Sequence, residues 1–138
     1  MNYYTHLVAA GVLMLATQAR AVSFPLEVIE YIDDTKVVAF VSQNDIDAAS
    51  TWEPMHSATP LTLGDALAAV KQALGAYGVD PDAIQLASIE LKEFPHQPGH
   101  WHYLVRLKKD HAKPHPRFFV VLMSGKAIAA TLEPQGYK

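Results

Sequence analysis

TLGDALAAVKQALGAYG, residues 62–78, is the stretch that decides the fold. Its apolar residues Leu63, Ala66, Leu67, Val70, Leu74 and Tyr77 recur at spacings of three and four, which lines them along one helical face and leaves Asp65, Lys71 and Gln72 to water. Thr62 stands where a hydroxyl can accept from the first free backbone amides, and Asp65 follows three residues on, as in a capping box. Gly75 and Gly78, followed by Asp80-Pro81, are the stop signals. One amphipathic helix must cover something flat.

The flanking sequence supplies strands. Upstream, LEVIEYI (residues 26–32) and KVVAFVS (36–42) are β-branched and aromatic runs on either side of Asp33-Asp34-Thr35, the composition of a β-hairpin. Residues 43–60 are polar and predict an irregular connection, with a short helical turn at 45–49 and Trp52 packing back onto the core. Downstream, Ile89 and Leu91 alternate with Ser88, Glu90 and Lys92. Likewise Trp101, Tyr103, Val105 and Leu107 alternate with His100, His102, Arg106 and Lys108. Such patterning predicts strands with one face on the helix and one in water. In RFFVVLM (117–123) every residue after Arg117 is apolar, as in a central strand, and Ser124-Gly125 turns it into a last strand over 127–132. The element order is β-β-α-β-β-β. The expected fold class is α+β, an antiparallel sheet of four to five strands packed against one main helix.

The chain has 138 residues, is 50% hydrophobic, contains no cysteine and carries a formal charge of -3. It is too apolar for a disordered tail and too short for two ordinary domains, and without thiols it can form neither disulfides nor thiolate metal sites. The mild acidity argues against nucleic acid as a partner. The charge is also unevenly spread: residues 22–86 hold two lysines against ten carboxylates, while residues 87–126 hold seven basic residues against three acids. Such opposite signs either face water and attract weakly across the fold, or steer a charged partner.

Residues 7–16 (LVAAGVLMLA) form an unbroken apolar run that leads to Ala19-Arg20-Ala21. That order is the apolar core and small-x-small cleavage site of a signal peptide over residues 1–21, although no Lys or Arg precedes the run. The run is shorter than the ~20 residues needed to span a bilayer, so no stable membrane span is expected after cleavage. A periplasmic or secreted domain over residues 22–138 follows.

Histidine is the most concentrated polar chemistry. His96, His100, His102, His111 and His115 lie within twenty residues of one another. His100 and His102 are two apart on an expected strand and project from one face, a spacing at which two imidazoles can chelate an ion, with His96 or His115 as a third ligand. Imidazole donors suit Zn²⁺ or Cu²⁺ as a cofactor. The same residues are equally consistent with a half-solvated outer face, since nothing in the sequence orients their second ring nitrogens. No catalytic residue is expected: there is no cysteine, and Ser57, Ser88 and Ser124 sit in no G-x-S-x-G elbow.

Across residues 62–128 the chain resembles the PepSY-type domains, small exported bacterial modules with one helix on a curved antiparallel sheet. The matching residues are Leu63-Gly64-Asp65-Ala66-Leu67, Trp101-His102-Tyr103-Leu104-Val105, and the closing segment Val121-Leu122-Met123-Ser124-Gly125-Lys126-Ala127-Ile128. The cystatin-like fold is similar in the same helix-on-sheet logic. The resemblance implies a non-enzymatic binding or inhibitory module of the cell envelope whose partner is a protein or peptide. A periplasmic metal-binding protein using His96, His100, His102 and His115 is the alternative. Intact mass of the exported product is expected to show loss of Met1 to Ala21, and retention of those residues would overturn the cleavage reading.

Overall fold

A computed structural model describes residues 23–133, so the expected leader lies outside the described residues. Strands β1 (Leu26–Ile32) and β2 (Thr35–Val41) form the expected hairpin, in register from Leu26 opposite Val41 to Ile32 opposite Thr35. The two-residue turn places Asp33 and Asp34 at φ of 50° and 60°, the left-handed pair that primed hairpin turns demand and that Asp tolerates.

A short helix, α1 (Gln43–Ala48), follows, capped by the Ser42 hydroxyl accepting from the Asp45 amide. The main helix, α2 (Leu63–Ala76), has the expected cap, with the Thr62 hydroxyl accepting from the Asp65 amide at 3.1 Å. Gly75 lies within this helix, and the stop belongs to Gly78 at φ +66°. The buried stripe is narrower than the spacing predicts. Ala66, Val70 and Leu74 are buried, whereas Leu63 and Tyr77 at its two ends are half exposed.

The remaining strands are β3 (Leu86–Glu93), β4 (Trp101–Leu107), β5 (Phe118–Leu122), β6 (Ala127–Ala129) and β7 (Thr131–Leu132). The molecule is α+β, as expected, but its strands form two antiparallel sheets instead of one. These are β1-β2-β7 and β3-β4-β5-β6. The last strand expected over 127–132 is divided at buried Ala130. Its first half pairs with β5 and its second half with β2, while the Ala130 amide still donates to the Phe118 carbonyl.

The second difference concerns what covers the four-stranded sheet. Register puts His102, Leu104 and Arg106 on the same face as Leu122, Val120 and Phe118, and puts Tyr103 and Val105 on the other face with Val121 and Phe119. The Tyr103 hydroxyl donates to the Leu61 carbonyl just before α2, which identifies its face as the helix side. Arg106 reaches Glu30 on β1, which identifies the opposite face as the hairpin side. The face expected to be in water is therefore covered by β1 and β2. All five residues of β5 are buried, and Val37, Ala39 and Val41 of β2 belong to the same core as Ala66, Val70 and Leu74 of α2.

Arg106 spans the side on which the two sheets are not joined. Its Nη2 lies 2.8 Å from Glu30 on β1 and its Nη1 3.2 Å from Glu90 on β3, and Nη1 also donates to the Ser88 hydroxyl. Burial opposes its charge, but the Glu30 and Glu90 carboxylates outweigh that and hold the guanidinium above its ordinary value. Two further pairs, Arg117 with Asp33 and Lys126 with Asp45, likewise join the basic segment to the acidic one. The uneven charge of the sequence thus closes on itself within one molecule.

Arg106→Met should lower stability in urea unfolding by about 1–3 kcal/mol, because it strands partly buried carboxylates, and adding Glu30→Gln should restore part of the loss. Equal loss in the single and double variants would show that the ion pair is not the source.

Candidate functional site

The four histidines proposed as metal ligands meet four different environments. His102 lies on the hairpin side of β4, is 3% exposed, and stacks on Phe94 with ring centroids 3.9 Å apart and planes 16° apart. Its Nδ1 is buried with no hydrogen-bond partner, and so is that of His100. His96 is exposed in the β3–β4 turn at φ 59°. His115 is occupied at both nitrogens: Nδ1 lies 2.8 Å from the Pro116 carbonyl, and Nε2 accepts from the Asp110 amide at 3.2 Å. With the proton on Nδ1 the ring ties the β4–β5 loop together, and neither nitrogen is left for an ion. Among the described residues no three His, Asp or Glu side chains gather where they could hold a metal.

Burial, and secondarily the nearby Lys92 ammonium, pushes the His102 imidazole down to about 4. At neutral pH this ring is an uncharged packing group. The alternation of β4 suggested a wet face, and the signal against it was Leu104, an apolar residue between His102 and Arg106 on that same face.

Two concave regions are the most spacious among the described residues. The larger, about 720 Å³, lies where the β1–β2 turn meets the β4–β5 loop, with Ile32, Val37 and Leu132 as apolar lining and Asp33, Lys109 and Arg117 as charged lining. The second, about 640 Å³, lies beside the β3–β4 turn between Trp52 and Trp101. These are the only two tryptophans in the chain, and they meet edge to face at 5.4 Å and 74°. Trp52 is fixed by its amide donating to the Gly99 carbonyl and its Nε1 donating to the Ser57 carbonyl. It packs onto the core as the sequence predicts. Gly99 sits at φ +76° with Thr51 close against it, so the turn and the connection are held tightly together. No local pattern announces that these segments, some fifty residues apart, form one groove.

Sheet edges are the other functional feature. Among the described residues β1 and β3 end their sheets, each with one side of its backbone unpaired. They are defended differently. β3 carries Ser88, Glu90 and Lys92 along one face and has an irregular register near Leu86 and Ser88. β1 shows Ile29 and Tyr31 to solvent, 41% and 73% exposed, with Phe40 of β2 exposed beside them. Such an apolar row on a free edge invites another strand.

Comparison with known proteins gives no match to any family model, curated protein or solved structure. Among the described residues, no helix is long and apolar enough to cross a membrane.

The low affinity of His102 for protons sets a pH dependence. Unfolded histidine takes up a proton near pH 6.5 and the buried ring near 4, so its contribution to stability is complete above about 6.5 and declines as pH falls to about 4. Over that range the wild type should lose about 3 kcal/mol more than His102→Phe, which keeps the stack on Phe94 and has no proton to gain. Urea unfolding at pH 7, 5.5 and 4 measures the difference, and parallel curves for the two proteins would refute it.

Proposed function

We propose that the protein is an exported, non-enzymatic binding or inhibitory module of the cell envelope, whose ligand is an extended peptide or protein segment added to the free edge of β1. One observation carries this reading: among the described residues the seven-residue edge strand has no neighbour on its outer side, and it shows Ile29 and Tyr31 to solvent next to Phe40. Main-chain hydrogen bonds to an edge supply affinity without regard to sequence, and alternate side chains supply selectivity. Glu27, exposed on the same face as Ile29 and Tyr31, favours a basic residue at the neighbouring position of the ligand.

The exported location rests on the apolar run and small-x-small site of residues 1–21. The binding or inhibitory role accords with the resemblance of residues 62–128 to PepSY-type and cystatin-like domains.

Hydrogen exchange tests the edge directly. A heptapeptide alternating Val with Lys and Thr should slow exchange within residues 26–32, and the same peptide N-methylated at alternate residues should not. Ile29→Asp combined with Tyr31→Asp should abolish the protection. Unchanged exchange at β1, or protection confined to β3, would overturn the assignment.

A further inference from the structure

The groove between Trp52 and Trp101 joins two features that are rarely found together by chance. Its two indole rings meet nearly at right angles and form a corner of π surface. Two carboxylates share the groove with the rings: Glu53, which follows Trp52 in the chain, and Glu93, directly opposite Trp101 in the β3–β4 register. Both acids line the groove, and no lysine or arginine does. Glu93 is held in place by accepting from the Gly99 amide at 3.2 Å. Lys92, the nearest basic residue in the strand, alternates to the other face and lies 3.8 Å from Glu90. An aromatic corner flanked by uncompensated carboxylates attracts organic cations through the ring quadrupole and direct charge attraction together.

We propose that this groove binds the basic side chain of a peptide, arginine or lysine, with the charge lying in the groove against the open side of the indole corner and close to the two carboxylates. A volume of about 640 Å³ leaves room for the aliphatic stem and flanking backbone as well as the charged group. Met55, 91% exposed at the rim, offers a flexible apolar surface to that stem. Arginine fits the corner best, because its planar guanidinium can stack on one indole while its N–H groups donate to a carboxylate. The site is separate from the edge of β1 and does not depend on strand addition there.

Because the chain has no tryptophans outside this groove, its intrinsic fluorescence reports on it directly. The full-length protein would be titrated at low salt with N-acetyl-Gly-Gly-Arg-Gly-amide. The expected result is a saturable change that becomes about tenfold weaker when citrulline replaces arginine, and about tenfold weaker in the Glu53→Gln, Glu93→Gln double variant. Glutamine at 93 keeps an acceptor for Gly99, so the turn should remain folded, which circular dichroism checks. Ile29→Asp with Tyr31→Asp should bind the arginine peptide like wild type, so failure of the β1 reading leaves this one standing. Four results would overturn the proposal: no saturable change, equal affinity for the citrulline peptide, tetramethylammonium alone binding as tightly as the arginine peptide, or displacement of the peptide by a neutral N-acetylglucosamine tetramer.

Discussion

Strand β5 is buried along its whole length and on both faces, and the rest of the architecture follows from covering it twice. Phe118, Phe119, Val120, Val121 and Leu122 each contribute about 1.5–3 kcal/mol only if water is excluded from both sides of the sheet. A single helix presenting Ala66, Val70 and Leu74 shields one side. The N-terminal hairpin shields the other with Val37, Ala39 and Val41. The segment after β5 then serves both layers, pairing with β5 as β6 and, beyond Ala130, with β2 as β7. A small residue at the crossing point suits the close approach of the two sheets there.

That arrangement explains where the charges lie. The acidic N-terminal portion is the hairpin and α1, and the basic portion is the β4–β5 region it covers, so Glu30, Asp33 and Asp45 meet Arg106, Arg117 and Lys126 across the layers. The Lys126 ammonium, with the Ser42 hydroxyl second, holds the Asp45 carboxyl below its usual range. Arg106 is the most consequential of these cations because it touches both free-edge strands on the side where the sheets are not joined. The same layering turns the histidine-rich segment from a set of candidate ligands into structure: His102 packs as a neutral ring against Phe94, and His115 ties a loop.

The proposed binding features fall where covering stops. The outer face of β1 shows Ile29 and Tyr31 to solvent. The tryptophan corner lies at the end of the β3–β4 turn, where the connection from α1 folds over the sheet and leaves a groove between two rings. Both features need a rigid scaffold beneath them, which the doubly covered strand supplies.

The elements were legible in the residues because each reflects a local pattern: three-and-four spacing with a Thr62 cap for α2, alternation for β3 and β4, and an Asp pair at the hairpin turn. The apolar run at 118–123 also announced a central strand, and Leu104 is the residue that marks the second buried face. Of the candidate site, the residue types were legible but their surroundings were not. Burial of His102, the split of the last strand at Ala130, the Arg106 to Glu30 bridge across 76 positions, and the groove joining Trp52 to Trp101 depend on which segments come to lie against one another. Side-chain order along a strand records which face is apolar, and only the packed chain decides what covers that face, because that choice is made by contacts between residues far apart in sequence.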